Sequence, residues 1–210
     1  MPLYKTITVD QSTKVLIWKI EESYETLAEG ITLTPHCTAR VSGMKSEMHR
    51  RGFMSIRHLL AEANYSDFDL FYDDLGKPHL RDENYISITH SYNFSGIIIS
   101  DKPVGIDIEK QREKINRISH KFVSETELSF IQNKQLDVTR ALTIIWGVKE
   151  SLYKLYATPG LSFEQHVQVA SFDFSSPFVG GKVNYENRTT EFDLVYDEFE
   201  GFTCVYVTPF

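Results

Sequence analysis

Long hydrophobic runs are missing from the sequence. The longest, SGIIIS at residues 95–100, falls well short of the roughly 18–20 apolar residues that cross a bilayer. The first ten residues, MPLYKTITVD, lack the basic-then-apolar order of a signal peptide. Cysteine is scarce, and the two that occur, Cys37 and Cys204, have no metal-ligand spacing. We therefore expect a cytoplasmic protein without a membrane partner, whose cysteines are thiols rather than a disulfide, the less favoured alternative.

An excess of positive charge is also missing, because the net charge of the 210 residues is −7. That balance argues against a general nucleic-acid binder, although a local basic patch remains compatible with it. No linker, low-complexity segment or residue-level repeat divides the chain. What is present is apolar and aromatic: 41 % of the residues are hydrophobic, with 14 Phe and 11 Tyr, which is enough for a sizeable core. One large domain or two small, closely packed ones are both compatible with this length.

The order of helical and strand patterns predicts an α+β fold. Apolar residues recur at helical spacing over residues 41–63, and a long helix is predicted over 137–157 with Asp137 as its cap. Ser124 and Glu127 have the spacing of a capping box at the start of a shorter helix. Strands are predicted in a hairpin at 4–9 and 14–20 and in the segments 68–73, 85–90, 96–100, 103–110, 166–174, 181–196 and 201–210. Each half thus reads as a long helix followed by about three strands.

The segment VGIDIEK at residues 104–110 places two carboxylates among apolar residues. Asp107 and Glu109 are two apart, so in a strand they point to the same face. Two like charges at that distance repel, and burying them costs free energy, so a positive group is expected nearby. A hard cation such as Mg²⁺ suits two such oxygen donors. An edge strand with a solvated acidic face is the alternative for an isolated D-x-E pattern.

The segment WGVKESLYK at residues 146–154 places charges on an otherwise apolar helix. Trp146, Glu150 and Lys154 are four residues apart and lie on one helix face, and Lys149 leans to the side. An ordinary Glu–Lys helix pair is the alternative interpretation. Charges on a packed helix need partners, however, and a cation would serve Glu150 while a phosphate would serve Lys149 and Lys154.

Two weaker signals lie in the first half of the chain. ISITHS, residues 86–91, brings the hydroxyls of Thr89 and Ser91 and the imidazole of His90 to a strand end, where such groups bind phosphate oxygens. GKP, residues 76–78, is a turn that projects Lys77. Taken alone, each is equally compatible with a structural role.

Together, GKP, ISITHS, VGIDIE and WGVKESLYK resemble, in order and spacing, the 4′-phosphopantetheinyl transferases, and most closely the Sfp-type class. The resemblance covers nearly the whole chain, and its specific part is VGIDIE followed about forty residues later by WGVKESLYK. Gly147 departs from the Ser, Thr or Cys that the family usually has, and Thr89 replaces the usual Ser. The resemblance implies the 4′-phosphopantetheinyl transferase fold, with similar α+β halves at residues 1–103 and 104–210 related by a pseudo-twofold axis and an active site between them. It also implies a monomer.

The activity implied by the resemblance is transfer of the 4′-phosphopantetheine arm from coenzyme A to a serine of an acyl or peptidyl carrier protein, releasing 3′,5′-ADP. Asp107, Glu109 and Glu150 would then hold Mg²⁺, and Glu150, or a water that it orients, would be the base for the carrier serine. Lys154 would stabilise the pyrophosphate. Further phosphate contacts are implied for Lys149, Thr89, His90 and Ser91.

The adenine end and 3′-phosphate of the coenzyme have further candidates in Lys77 and in the arginines of HRRGFMSIRH. Arg50 and Arg57 share a helix face, and Arg51 is turned about 100° away. A solvated basic helix face is an equally good interpretation of these arginines.

A basic stretch follows the acidic strand and is a candidate surface for docking a carrier or the coenzyme. Its positive residues are Lys110, Arg112, Lys114, Arg117 and Lys121. A solvated loop is the alternative. For the whole chain two alternatives stay open: a non-catalytic homologue that binds coenzyme A or a carrier, and a Mg²⁺-dependent hydrolase of pyrophosphate bonds.

Overall fold

The computed structural model describes residues 3–208, and the chain divides into two compact units, Met1–Pro103 and Val104–Phe210. Both units combine helices with antiparallel sheets, which confirms the predicted α+β class. Pro209 and Phe210, the end of the last predicted strand segment, lie outside the described residues. Within residues 3–208, no helix has the length and apolar character needed to cross a bilayer. Cys37 and Cys204 are buried thiols.

The first unit is built on an antiparallel sheet with the strand order β1-β2-β6-β5, against which helix α3 packs. Leu59, Leu60 and Ile97 are fully buried in the core between this helix and the sheet. A short hairpin, β3-β4, forms a separate two-stranded sheet. The elements of this unit are β1 (Leu3–Thr8), β2 (Lys14–Lys19), α1 (Tyr24–Ala28), α2 (Pro35–Ser42), α3 (Glu47–Glu62), β3 (Leu70–Tyr72), β4 (Pro78–Leu80), β5 (Tyr85–Ser91) and β6 (Phe94–Ser100).

The single helix predicted over residues 41–63 is wrong, because α2 ends at Ser42 and α3 begins at Glu47. Gly43 caps the C-terminus of α2, and the Ser46 hydroxyl accepts a hydrogen bond from the His49 amide at 3.4 Å at the N-terminus of α3. The apolar spacing continues across the break, so periodicity alone did not reveal these caps.

The second unit is a sheet with the strand order β7-β11-β10-β9-β8, against which the long helix α6 packs. Both predicted caps are confirmed: Ser124 and Glu127 form a capping box, and the Asp137 carboxylate accepts a hydrogen bond from the Arg140 amide at 2.8 Å. The elements are β7 (Ile106–Lys110), α4 (Lys114–Ile118), a 3₁₀ turn (Ser119–Lys121), α5 (Glu125–Asn133), α6 (Val138–Tyr156), β8 (Val167–Val169), β9 (Phe178–Tyr185), β10 (Arg188–Phe199) and β11 (Phe202–Val207).

The segment predicted as one β-rich stretch at 181–196 is instead a hairpin of β9 and β10. Glu186 and Asn187 turn the chain with φ values of 50° and 61°. Positive φ at both central positions is the geometry of a tight hairpin turn. The last strand, β11, pairs with β7, so the acidic strand is an edge strand of the sheet and lies beside α6.

Candidate functional site

The acidic strand β7 presents two carboxylates on one face, as predicted from their spacing. Asp107 is nearly buried, and Glu109 is about a third exposed. Asp107 is paired across the sheet with Val205, and Glu109 with Thr203, both in β11. Pairing with β11 along one edge and packing against α6 therefore hold the backbone of this strand in place.

Lys154, in the last turn of α6, is the positive group next to this strand. Its ammonium donates hydrogen bonds to Asp107 Oδ1 at 2.8 Å and to the Ile106 carbonyl at 3.0 Å. These bonds tie the end of α6 to the start of β7 and offset part of the negative charge of Asp107. About a quarter of the Lys154 side chain stays exposed, so its charge also reaches solvent.

Glu150 lies one helical turn before Lys154 and has an unusual pKa. Burial of its carboxyl and the charge of Asp107 raise the pKa of Glu150 to about 7, with Glu109 adding to the increase and Lys154 acting against it. Both strand carboxylates are therefore close enough to repel the carboxylate of Glu150. A carboxyl with a pKa near 7 can accept a proton at neutral pH and give it up again.

The residue types of this cluster fit a hard divalent cation. Asp107, Glu109 and Glu150 offer oxygen donors, and their mutual repulsion would be relieved by a positive ion. The side chains are not drawn together around a common point, because residues 3–208 contain no group of three or more His, Cys, Asp or Glu placed to hold a metal. The donor chemistry thus fits Mg²⁺, and the ligand set remains a prediction.

Lys149 differs from its prediction as a phosphate contact. It is 0 % exposed, and its ammonium donates to the carbonyls of Phe122 and Phe163 at 2.6 and 2.9 Å and to Glu127 Oε2 at 2.9 Å. Burial lowers the pKa of Lys149, and the charge of Glu127 acts in the opposite direction. All three protons are used inside the unit, so this geometry argues against a phosphate contact.

Glu127 is the residue of this region that sequence reasoning missed. Its capping-box position is usually a solvated one, but here its side chain is buried and binds Lys149. The available signal was a lysine inside an apolar helix, which requires a buried acidic partner somewhere in the chain.

A groove of about 160 Å³ lies beside Glu109 in the second unit. Its apolar lining comes from Ile115, Ile118 and Trp146, and its charged lining from Glu109, Lys110, Arg112 and Lys114. Helix α4 supplies part of this surface, in the segment for which a basic polar stretch was predicted. A surface with an apolar floor and a basic rim suits an acidic partner that also offers apolar side chains.

In the first unit, His90 packs its ring over helix α3 at Gly52. A Cβ at position 52 would lie 2.5 Å from His90 Cδ2, so glycine makes room for the imidazole. The ring of His49 lies 6.1 Å from that of His90. Desolvation lowers the pKa of His90, and the charge of His49 lowers it further.

Thr89 and Ser91 lie on the opposite face of β5 from His90. Successive side chains of a strand point to opposite faces, and both hydroxyl residues are buried while His90 is exposed. The structure therefore does not gather the three side chains on one side of β5, and this argues against one ligand that they share with His90.

The three arginines of the first unit have different environments. Arg57 is buried, donates from Nε to Asp67 Oδ1 at 2.9 Å and lies 3.5 Å from the centre of the Phe53 ring, which is a structural role. Arg50 and Arg51 are half-buried, with Arg50 over the ring of Tyr24 and Arg51 donating to the Ile20 carbonyl. Only these two remain candidates for phosphate binding.

Lys77 lies in the predicted turn. Gly76 has φ +83°, and the Lys77 amide donates to Asp73 Oδ1 at 2.9 Å. Desolvation lowers the pKa of Lys77, and the charge of Asp73 acts in the opposite direction. The turn therefore holds a half-buried ammonium close to one carboxylate.

The chain is similar to proteins of a known family. The model of the 4′-phosphopantetheinyl transferase superfamily matches residues 103–205, which include the acidic strand and α6. A 4′-phosphopantetheinyl transferase of Bacillus subtilis is 34 % identical over 126 residues, covering 56 % of each chain. The transferase named gsp of Aneurinibacillus migulanus is 27 % identical over 134 residues, covering 63 % of this chain and 54 % of its own.

A third relative, the transferase Sfp of Bacillus subtilis strain 168, is 30 % identical over 118 residues, covering 52 % of this chain and 53 % of its own. This chain thus spans about half the length of the curated relatives that it matches. The match assigns residues 103–205, which include the acidic strand and α6, to the 4′-phosphopantetheinyl transferase superfamily.

Proposed function

We propose that the protein transfers the 4′-phosphopantetheine arm of coenzyme A to a serine hydroxyl of an acyl or peptidyl carrier protein. The observation that carries this proposal is the cluster in which Glu150, with its pKa near 7, lies close to Asp107 and Glu109 and is balanced by Lys154. The names of the relatives, all 4′-phosphopantetheinyl transferases, support the same reaction.

In the proposed reaction, the serine oxygen attacks the β-phosphorus of the coenzyme pyrophosphate. A new P–O bond forms to serine, the bond from that phosphorus to the bridging oxygen breaks, and 3′,5′-ADP leaves with the bridging oxygen. Glu150, or a water that it orients, takes the serine proton, and a base with a pKa near the working pH is well suited to that task. Lys154 stabilises the negative charge that develops on the pyrophosphate.

Asp107, Glu109 and Glu150 are the residues that would hold Mg²⁺. When bound, the ion would supply positive charge to the pyrophosphate oxygens. For the coenzyme, we propose Lys154 in the second unit and His90, Lys77, Arg50 and Arg51 in the first as phosphate and adenine-end contacts. Lys149 and Arg57 are omitted because each is buried in a structural ion pair.

We propose the groove beside Glu109 as part of the surface that docks the carrier protein. Carrier domains are expected to be acidic around the modified serine, and the rim of this groove is basic through Lys110, Arg112 and Lys114. The apolar floor adds contact area that charge alone would not supply. We further propose that the protein acts as a monomer in the cytoplasm, where its two cysteines stay reduced.

The test is intact-mass spectrometry of an apo carrier protein incubated with this protein, coenzyme A and Mg²⁺. We expect the carrier to gain the mass of one phosphopantetheine arm, and we expect Glu150→Gln to abolish the gain. If several unrelated carriers gain nothing although coenzyme A binds measurably, the transferase proposal is refuted. Release of 3′,5′-ADP without any carrier would instead indicate a hydrolase.

A further inference from the structure

The second unit buries one complete ion pair that the proposed reaction does not use. The Lys149 ammonium has three protons and donates all of them, to Phe122 O, Glu127 Oε2 and Phe163 O. A buried charge is costly unless it is paired and hydrogen-bonded in this way. The buried ammonium of Lys149 is therefore fully satisfied within the unit.

Glu127 completes the pair with equally full use of its oxygens. It is 1 % exposed, and besides Lys149 it accepts hydrogen bonds from the amides of Ser124 and Val169, both at 2.8 Å. The pair thus joins the start of α5, helix α6 and the edge strand β8. Apolar residues of similar volume often stabilise a fold as well as a buried ion pair does. Stability alone therefore does not explain why Glu127 and Lys149 are present.

The pair contacts α6 on the side opposite the acidic strand. On the strand side, Ser151 Oγ donates to the Val205 carbonyl at 2.9 Å, and Lys154 binds the Ile106 carbonyl at 3.0 Å. Lys149 points about 100° away from Glu150 around the helix axis. With hydrogen bonds on both sides, α6 has little freedom to rotate about its axis.

The same bonds place aromatic side chains around Glu150. Lys149 holds the backbone of Phe163, whose ring lies 5.6 Å from that of Trp146 and 5.5 Å from that of Tyr153. Trp146 precedes Glu150 by four residues and Tyr153 follows it by three, so both neighbour Glu150 on the helix surface.

We propose that the Lys149–Glu127 pair is a positioning device for Glu150, which sets the place of that carboxylate through the rotation of α6 and through Phe163. This inference rests on the proposed function, because Glu150 is the residue that it serves. A misplacement of about 1 Å can reduce a rate about 100-fold, so a small helix rotation would suffice for a large effect.

The experiment replaces the pair by an apolar one, Glu127→Leu with Lys149→Met, and also uses Glu127→Gln alone. The matched control is Arg140→Met with Glu198→Leu, which removes another ion pair of α6, in which Arg140 Nε donates to the Glu198 carboxylate at 2.9 and 3.0 Å. For each variant, the experiment measures the melting temperature and the kcat and KM of transfer. It also measures the Kd of Mg²⁺ by calorimetry in the presence of coenzyme A.

We expect the apolar pair to fold, with kcat lowered and the Kd of Mg²⁺ raised by about 10- to 100-fold, as is typical when groups that orient a metal ligand are removed. KM for coenzyme A should change by less than about 2-fold, because binding contacts stay in place. Glu127→Gln should change kcat and Kd in the same direction. The Arg140 and Glu198 control should change melting temperature without these losses.

The inference is overturned if the variant with the apolar pair keeps the kcat and the Mg²⁺ affinity of the wild type. It is also overturned if the Arg140 and Glu198 control loses as much of both. If the apolar pair does not fold, Glu127→Gln decides by the same two readouts. If the wild-type protein transfers nothing to any carrier but its Mg²⁺ affinity still depends on the pair, the proposed function fails while the positioning role stands.

Discussion

Gly147 lies directly against Val205, so that a Cβ added at position 147 would come 2.5 Å from Val205 Cγ2. Glycine inside a helix costs about 1 kcal/mol relative to alanine, and here the close packing of α6 on β11 explains its presence. The position is one where the family usually has a larger residue, and Val205 occupies the space that such a residue would need.

We expect Gly147→Ser to destabilise the protein by about 1–3 kcal/mol, because overpacking forces the helix away from the strand. Val205→Ala should partly restore stability in the double variant by removing the methyl groups that clash. Chemical unfolding of the two single variants and the double variant measures the coupling. Strictly additive changes in the free energy of unfolding would show that the two positions are independent.

The second prediction concerns pH and the stability of the metal-free protein. The pKa of Glu150 is about 7 in the folded chain against 4.5 in the unfolded one, so between these values the folded state holds the extra proton. Stability from this group is present below pH 4.5 and is lost as pH rises through 7, by roughly 2–3 kcal/mol. Thermal unfolding in a chelator from pH 5 to 8 should show this decline, and Glu150→Gln should flatten it.

A divalent cation should act against that decline, because it favours the ionised carboxylate. We expect the increase in melting temperature caused by Mg²⁺ to grow from pH 5 to pH 8. An increase that is the same at every pH, or that persists in Glu150→Gln, would place the ion elsewhere.

Helix α6 shows which features of the site can be predicted from the sequence and which cannot. Trp146, Glu150 and Lys154 were assigned to one face from their spacing alone, since a helix has a fixed period. The deep burial of Lys149 depends instead on Glu127 and on the backbone of Phe163, which come from other segments. No local pattern encodes such a contact, so these nine residues predict a shared helix face but not the surroundings of Lys149.

In the first unit, too, the local elements could be predicted from the sequence, but the grouping of the site residues could not. The hairpin of β1 and β2 and the strand β5 follow local alternation and turn residues, and the structure has them where they were predicted. The phosphate motif on β5 was interpreted as one group of side chains, although alternation along a strand separates His90 from Thr89 and Ser91. The alternation of side chains along a strand, and not the chemical similarity of the three groups, therefore determines which of them share a face.

The third prediction separates Arg57 from the other arginines. Burial alone would raise the pKa of Asp67, but the bonds from Thr34 and the charge of Arg57 hold it below its usual value. Arg57→Met leaves that buried carboxylate without its charge partner, and we expect a loss of about 3–5 kcal/mol in stability. In the fraction that stays folded at low temperature, KM for coenzyme A should be unchanged, whereas Arg50→Met should raise this KM and leave the stability nearly intact.

The fourth prediction uses the contact between Gly52 and His90. Gly52→Ala would displace the imidazole, because the new Cβ would lie 2.5 Å from His90 Cδ2. If His90 binds a coenzyme phosphate, KM for coenzyme A should rise about 10-fold, with kcat at saturation nearly unchanged, since uniform binding is what is lost. Gly43→Ala is the matched control, because a Cβ there meets its neighbours at ordinary distances of 3.5 and 3.6 Å. Equal KM values for both variants would remove His90 from the coenzyme site.

The last prediction concerns the basic rim of the groove beside Glu109. Reversing Lys110 and Lys114 to glutamate should raise KM for an acidic carrier several-fold and make association less sensitive to salt, because rim charges act mainly on encounter. The kcat at saturating carrier should change little. Charge reversal of Lys5 and Lys182, which lie outside the lining of this groove, serves as a control for net charge.

The apolar floor of the groove distinguishes docking from general attraction between charges. Ile118→Ser removes apolar contact but no charge, so it should raise KM for the carrier at both low and high salt. The charge reversals, by contrast, should lose their effect as salt increases, since screening shortens the range of rim charges to about 10 Å at 0.1 M. If Ile118→Ser leaves KM unchanged at every salt concentration while the reversals raise it, the carrier contacts the basic rim but does not enter the groove.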